Sequence, residues 1–96
     1  MAKRKPGWSV VKILLQNDRV RLAEMTMEPG DRGKMNERPD RVRYVLKGGK
    51  IREHFADGSV KNYHLKPGTV QWEKKSTSSM ENVGRSVVRF ITVQVY

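Results

Sequence analysis

Residues 29–85 read PGDRGKMNERPDRVRYVLKGGKIREHFADGSVKNYHLKPGTVQWEKKSTSSMENVGR, and turn signals at Pro29-Gly30, Gly48-Gly49, Asp57-Gly58, Pro67-Gly68 and Gly84 cut the stretch into short pieces. Most pieces are rich in Val, Ile, Thr and aromatic residues. They are too short for typical helices and suit strands, so the spacing predicts an all-β sandwich or barrel.

Within this stretch Arg41 to Lys47 alternates, with Val42, Tyr44 and Leu46 on one face and Arg41, Arg43 and Val45 on the other. Lys50–Phe55 and Ser59–Leu65 flank Asp57-Gly58, a hairpin signal. A two-residue loop there would pair Phe55 with Val60, Ile51 with His64 and His54 with Lys61, turning the two histidines to opposite faces. Thr69–Glu73 reads as a strand carrying Val70 and Trp72 on one face, Lys74–Ser79 as a polar connection, and Met80–Val83 as a short strand.

Upstream, Val10–Gln16 forms a first strand and Asn17-Asp18 turns it into Arg19–Met27. Alternation there sets Val20 and Leu22 toward the core and Arg19 and Arg21 toward water. The same alternation would turn Glu24 inward unless a bulge resets it or a partner such as Arg89 meets it. Asp31–Asp40 has no periodicity and reads as the longest loop, the kind of segment that carries binding groups on a β framework. Downstream, Ser86–Tyr96 is apolar on both faces, as befits a central or interface strand.

Ninety-six residues make one domain, expected to span residues 10–96 behind a basic, mobile tail at residues 1–9. A core of that size gains from burying a further apolar face against a second copy, so a homodimer is expected. There is no cysteine, which removes disulfides, thiolate metal sites and a cysteine nucleophile. Lys12 interrupts the apolar run after the basic N-terminus and no small-residue cleavage site follows; together with the missing cysteines this suggests a cytoplasmic protein without a membrane segment.

Twenty Lys and Arg stand against ten Asp and Glu, a formal charge of +10. Eight of those cations lie between Arg32 and Arg52. Such a surface attracts polyanions at low salt without specifying one.

Taken in order, these signals resemble the cupin superfamily, in particular small single-domain RmlC-like jelly-roll barrels. The stretch Arg38-Pro39-Asp40-Arg41-Val42-Arg43-Tyr44-Val45-Leu46 closing on Gly48-Gly49 is similar to the first cupin motif, a His-x-His-Pro loop entering an apolar strand. Leu65-Lys66-Pro67-Gly68-Thr69-Val70, followed by Glu81-Asn82-Val83-Gly84, is similar to the second. The likeness runs from about Val20 to Val95 and implies a double-stranded β-helix, or jelly-roll barrel.

Proteins of that family usually hold a divalent metal in the barrel mouth through imidazoles and a carboxylate. Carried across by position, the first motif's histidines fall on Asn36 and Arg38, its carboxylate on Val42, and the second motif's histidine on Ser78, with Asn82 matching an Asn of the motif. None of these is a usual metal ligand. A permanently protonated guanidinium has no lone pair to offer and repels a cation.

The resemblance therefore implies a metal-free vessel with no cofactor, a non-catalytic binding or scaffold module. In it Arg38, Asn36, Ser78 and Asn82 would engage a small carboxylate or phosphate between apolar walls at Tyr44 and Trp72. The opposite orientation stays open, with Arg38 turned outward toward Glu37 or Asp40 over a filled barrel. Two other functional classes also stay open. One is an isomerase- or oxygenase-like enzyme with a relocated site, although no histidine occupies either motif to act as base. The other is electrostatic binding of nucleic acid, with Trp8 or Tyr63 as stacking platforms if exposed.

Overall fold

The computed structural model describes residues 7–96; the basic tail expected at residues 1–9 lies largely outside the described residues. Nine strands follow one another: β1 (Val10–Gln16), β2 (Val20–Met27), β3 (Asn36–Arg38), β4 (Arg41–Lys47), β5 (Gly49–Phe55), β6 (Val60–Leu65), β7 (Val70–Glu73), β8 (Ser76–Asn82) and β9 (Val88–Val95). They build a five-stranded sheet in the order β1-β2-β9-β4-β7 and a four-stranded sheet in the order β3-β8-β5-β6. Every pairing between these strands is antiparallel.

The punctuation read from the sequence marks the real turns. Asn17 Oδ1 accepts the backbone N–H groups of Arg19 and Val20 and closes the β1–β2 hairpin. Gly30, Gly58 and Gly68 all adopt positive φ, a conformation that costs glycine least. Gly48 is needed for another reason, since a Cβ there would sit 2.2 Å from the backbone oxygen of Leu65.

Three expectations need correction. The β5–β6 loop is longer than two residues: Phe55 bonds back to Ser59 through its N–H, and His54 pairs with Val60. That change of parity puts His54 and His64 on the same, outer face of the hairpin. They pair with Val60 and Lys50 respectively, four residues apart along the ladder, so about 13 Å separates them. The supposed loop around Arg38 contains strand β3, which pairs with β8 across Asn36↔Ser78 and Arg38↔Ser76. The polar stretch at Ser76–Ser79 is likewise strand, because β8 is shared between β3 and β5.

Met27, Val45, Ile51, Leu65, Met80, Val88 and Phe90 form the packed core. It fills one end of the space between the sheets. Toward the other end, the inward face of β4 changes from Val45 to Arg43 and Arg41, all three buried. Here the structure reverses the facing expected from the sequence. On β4 the arginines point in while Tyr44 and Leu46 are exposed; on β2 the inward face runs Met27, Met25, Ala23, Arg21 by register, and Leu22 faces out.

The outward face carries a consequence of that reversal. Register links Trp72 to Val42, Val42 to Val93, Val93 to Leu22 and Leu22 to Leu15, an apolar row crossing all five strands. Glu24 belongs to the same face and meets Arg89 at 3.5 Å, the alternative partner reading, and the irregularity in register lies in β1 rather than β2. Edge strand β1 is exposed along its whole length although five of its seven residues are aliphatic.

Candidate functional site

Polar side chains gather where the core ends. Glu53 on β5 is buried with both carboxylate oxygens occupied: Tyr63 donates its hydroxyl to one at 2.9 Å, and Ser78 donates to the other at 2.5 Å. Register places Tyr63, Glu53 and Ser78 on the inward face of the four-stranded sheet, next to Ile51 and Met80 of the core. Burial raises the Tyr63 phenol above its ordinary range, partly opposed by the nearby Arg43 cation.

Three buried arginines meet this network from the other sides, and they are not equivalent. Arg41 donates from Nη1 to the carbonyls of Pro39 and Lys74, at 3.2 and 3.4 Å. Arg43 lies 3.3 Å from Glu73, an ion pair without a directed hydrogen bond, and its guanidinium rests 5.3 Å from the Phe90 ring centre. That distance is within range of a cation–π contact. Arg38 has neither arrangement. Its Nε is buried without a hydrogen-bond partner and it makes no ion pair among the described residues.

The Arg38 cation is accordingly destabilised, first by loss of solvent and then by Arg41, with the Glu53 charge acting in the opposite sense. Arg41 is lowered for similar reasons, burial first and then Arg43, against the favourable Glu73 and Glu53. A buried guanidinium without an anionic partner is costly, and an anion brought alongside relieves the cost.

Arg38 does not turn outward to Glu37 or Asp40. Glu37 instead reaches Lys75 at 3.5 Å, and Asp40 accepts the backbone N–H of Lys75 at 2.8 Å. Arg38 lines a cavity of about 310 Å³ between the sheets, whose other walls include Arg21, Asn36, Thr92 and Gln94. Arg21 also has a buried Nε with no hydrogen-bond partner. Two arginine side chains, one from each sheet, thus line the same space.

The other sequence candidates separate. Asn36 sits at the exposed rim of this cavity beside Arg38. Ser78 shares its inward row, as the β3–β8 register requires, but its hydroxyl is committed to Glu53. Asn82 is no part of the site: its amide donates to the carbonyls of Met27 and Ser86, and its Oδ1 accepts the Gly84 N–H. Tyr44 and Trp72 are not walls of the Arg38 cavity either. Both are on the outward face, 43% and 55% exposed, and Trp72 borders a different cavity with Glu53, Tyr63 and His64.

Arg21, Arg41, Arg43 and Glu53 escaped the sequence reading as site residues, and Tyr63 entered it only as a stacking platform for nucleic acid. Their shared signal is alternation, since Arg41 and Arg43 are in phase with Val45, the residue that packs in the core. Of the two aromatics considered for stacking, Tyr63 is turned inward to Glu53 and Trp8 is half-buried beside Arg32.

The donor set does not fit a divalent cation. The positions that would supply ligands hold Asn36, Arg38 and Ser78, while Val42 faces outward with Trp72. Among the described residues no three His, Cys, Asp or Glu side chains come together. His54 is engaged with Glu81 at 2.9 Å, away from the interior. No helix in the described residues is long and apolar enough to cross a membrane.

The strand order of the two facing antiparallel sheets is that of a double-stranded β-helix, the fold of solved cupin domains. The chain has that fold along almost its entire length. It is similar to a cupin domain from Bordetella pertussis, with a TM-score of 0.85 at 16% identity, covering 98% of this chain and 99% of that one. An RmlC-like cupin family protein from Methanocaldococcus jannaschii gives a TM-score of 0.69 at 18% identity, over 99% and 86% of the two chains. A predicted oxalate decarboxylase from Thermotoga maritima gives 0.67 at 22% identity, over 91% and 79%. No family model and no curated protein sequence matches the chain.

Proposed function

We propose that this chain is a cupin-fold binding module that takes a small anion without a metal, holding it between Arg38 and Arg21. One observation carries the reading: both arginines line the same cavity, and each keeps a buried Nε without a partner. Four guanidinium groups, those of Arg21, Arg38, Arg41 and Arg43, stand against the carboxylates of Glu53 and Glu73 and that of the rim residue Glu37, which is 3.5 Å from Lys75, so positive charge remains in excess. An anion with two oxygens matches the planar fork of arginine.

Binding rather than catalysis is supported by the state of Glu53, the buried carboxylate among the inward arginines. Both oxygens of Glu53 accept hydrogen bonds, neither histidine lines the cavity, and Glu37, the one carboxylate on its rim, is exposed and 3.5 Å from Lys75, so no base is held in place beside a bound molecule. The Thermotoga neighbour's description as a predicted oxalate decarboxylase agrees with a carboxylate as ligand class.

Titration of the metal-free protein with acetate, oxalate and phosphate, followed by amide chemical shifts, tests the proposal. Shifts clustered at Arg21, Asn36 and Arg38 are expected, with loss of binding in Arg38→Met. A stoichiometric transition metal bound in the interior, or no response to any of these anions, overturns it.

We also propose that the module works as a homodimer built on the outward apolar row. Five paired strands span about 19 Å between their outermost members, wide enough for a continuous interface. The row carries no charge from Trp72 to Leu15, which favours a second copy of the same aliphatic surface over a polar partner.

A further inference from the structure

The Arg38 cavity does not end at its polar walls. It adjoins a second one, also about 310 Å³, and the two share Val11, Met25, Asn36 and Arg38. Chemistry changes along the way. Arg21, Ala23, Glu37, Thr92 and Gln94 belong only to the first cavity, while Trp8, Ser9, Gly33 and Lys34 belong only to the second, where Trp8 joins the shared Val11 and Met25 as the apolar part.

Three details make this a path for a ligand rather than two unrelated hollows. Arg38 borders both cavities, so a head group bound by its guanidinium has an apolar exit beside it. Val11 and Met25 are paired across β1 and β2 and present one continuous apolar wall. Gly33 keeps the far side open: a Cβ there would lie 3.4 Å from Ser9 Oγ and 3.9 Å from Arg38 Nη2, ordinary contacts at the edge of the groove.

We infer that the ligand is an amphiphilic monocarboxylate, its carboxylate between Arg21 and Arg38 and its apolar body along Val11, Met25 and Trp8. The inference rests on the anion reading proposed above and adds the second half of the molecule. Cavities of this size accept small organic acids, and most of the affinity of such a ligand comes from its apolar part while the charged end fixes its orientation.

The test is an NMR titration of the full chain with acetate, butanoate, hexanoate and octanoate, beside octan-1-ol and octyl phosphate. Affinity is expected to rise about fourfold for each added methylene until the groove is filled. Octanol should bind at least tenfold more weakly than octanoate. Gly33→Leu, which fills the groove without adding or removing a charge, should flatten the series and weaken acetate far less than octanoate, since its Cβ meets Arg38 Nη2 only at an ordinary contact distance. Trp8→Ala, at an apolar wall that only the second cavity has, should flatten the series as well and serves if the first variant is poorly folded.

If acetate and octanoate bind equally well, the apolar arm is wrong while the anion site stands. Should no carboxylate bind, the carboxylate head and its arm fall, and if phosphate fails to bind as well the Arg21–Arg38 seat falls with them. Octanol binding as tightly as octanoate, or octyl phosphate displacing octanoate, refutes the carboxylate head. Retention of the full chain-length dependence in both variants refutes the placement of the tail.

Discussion

Arg21 on β2 and Arg38 on β3 approach one cavity from opposite sheets, each with its Nε buried and without a hydrogen-bond partner. Loss of solvent and nearby positive charge both disfavour the Arg38 cation, so its retention makes sense as a function held at the expense of stability.

Replacing Arg38 by methionine should therefore separate stability from binding. Part of the aliphatic stem is kept and a buried charge is removed without stripping any carboxylate of an ion-pair partner among the described residues, so no loss of stability is expected. The variant is expected to melt no lower than the parent, and up to several degrees higher, while losing anion binding. A clear drop in melting temperature would mean that Arg38 is a structural member of the interior.

Removing either donor to Glu53 should cost more than it removes. Tyr63→Phe and Ser78→Ala each leave one carboxylate oxygen buried and unpaired, with an expected loss of about 1–3 kcal/mol in urea unfolding. Because both bonds end on the same carboxylate, the double variant should depart from additivity by about 0.5 kcal/mol or more. Strict additivity would show that the two donors do not share one network.

Stability should fall in alkaline solution because of Tyr63. Its folded-state pKa is raised above the unfolded value of about 10, so the folded state holds the proton more tightly. The contribution is complete below about pH 10 and is lost as the pH rises from there through the folded value. Urea midpoints measured from pH 8 to 11 should decline more steeply in the parent than in Tyr63→Phe, which has no such proton to lose.

A charge in the middle of the outward row should dissociate the dimer. Val42 stands between Trp72 on β7 and Val93 on β9. Val42→Glu would bury a carboxylate in an aliphatic interface, and light scattering should find a monomer of 11.1 kDa where the parent gives twice that mass. A parent already monomeric at micromolar concentration would remove the dimer from this account.

Particular residues show how far local sequence reaches. Asp57-Gly58, Pro67-Gly68 and Asn17-Asp18 mark real turns, because a turn depends on neighbours within a few positions. The bounds of Val10–Gln16 and Arg41–Lys47 follow from the same local rules. Strand β3 was hidden because three residues with charged neighbours become a strand only when β8 supplies the partner. The turn type at Asp57-Gly58 misled by one residue, and that moved His54 to the face it shares with His64.

Alternation along β4 and β2 determined which side chains travel together: Arg41 with Arg43 and Val45, and Arg21 with Ala23 and Met25. It could not determine which set is enclosed, since a strand has two chemically distinct faces and no label for inside. Only closure of the β3-β8-β5-β6 sheet over the other decided that, burying Val45 at one end and carrying the arginines in phase with it into the interior. The candidate site is thus a product of register between distant strands, which is why Arg38 was visible from its motif and Arg21 was not.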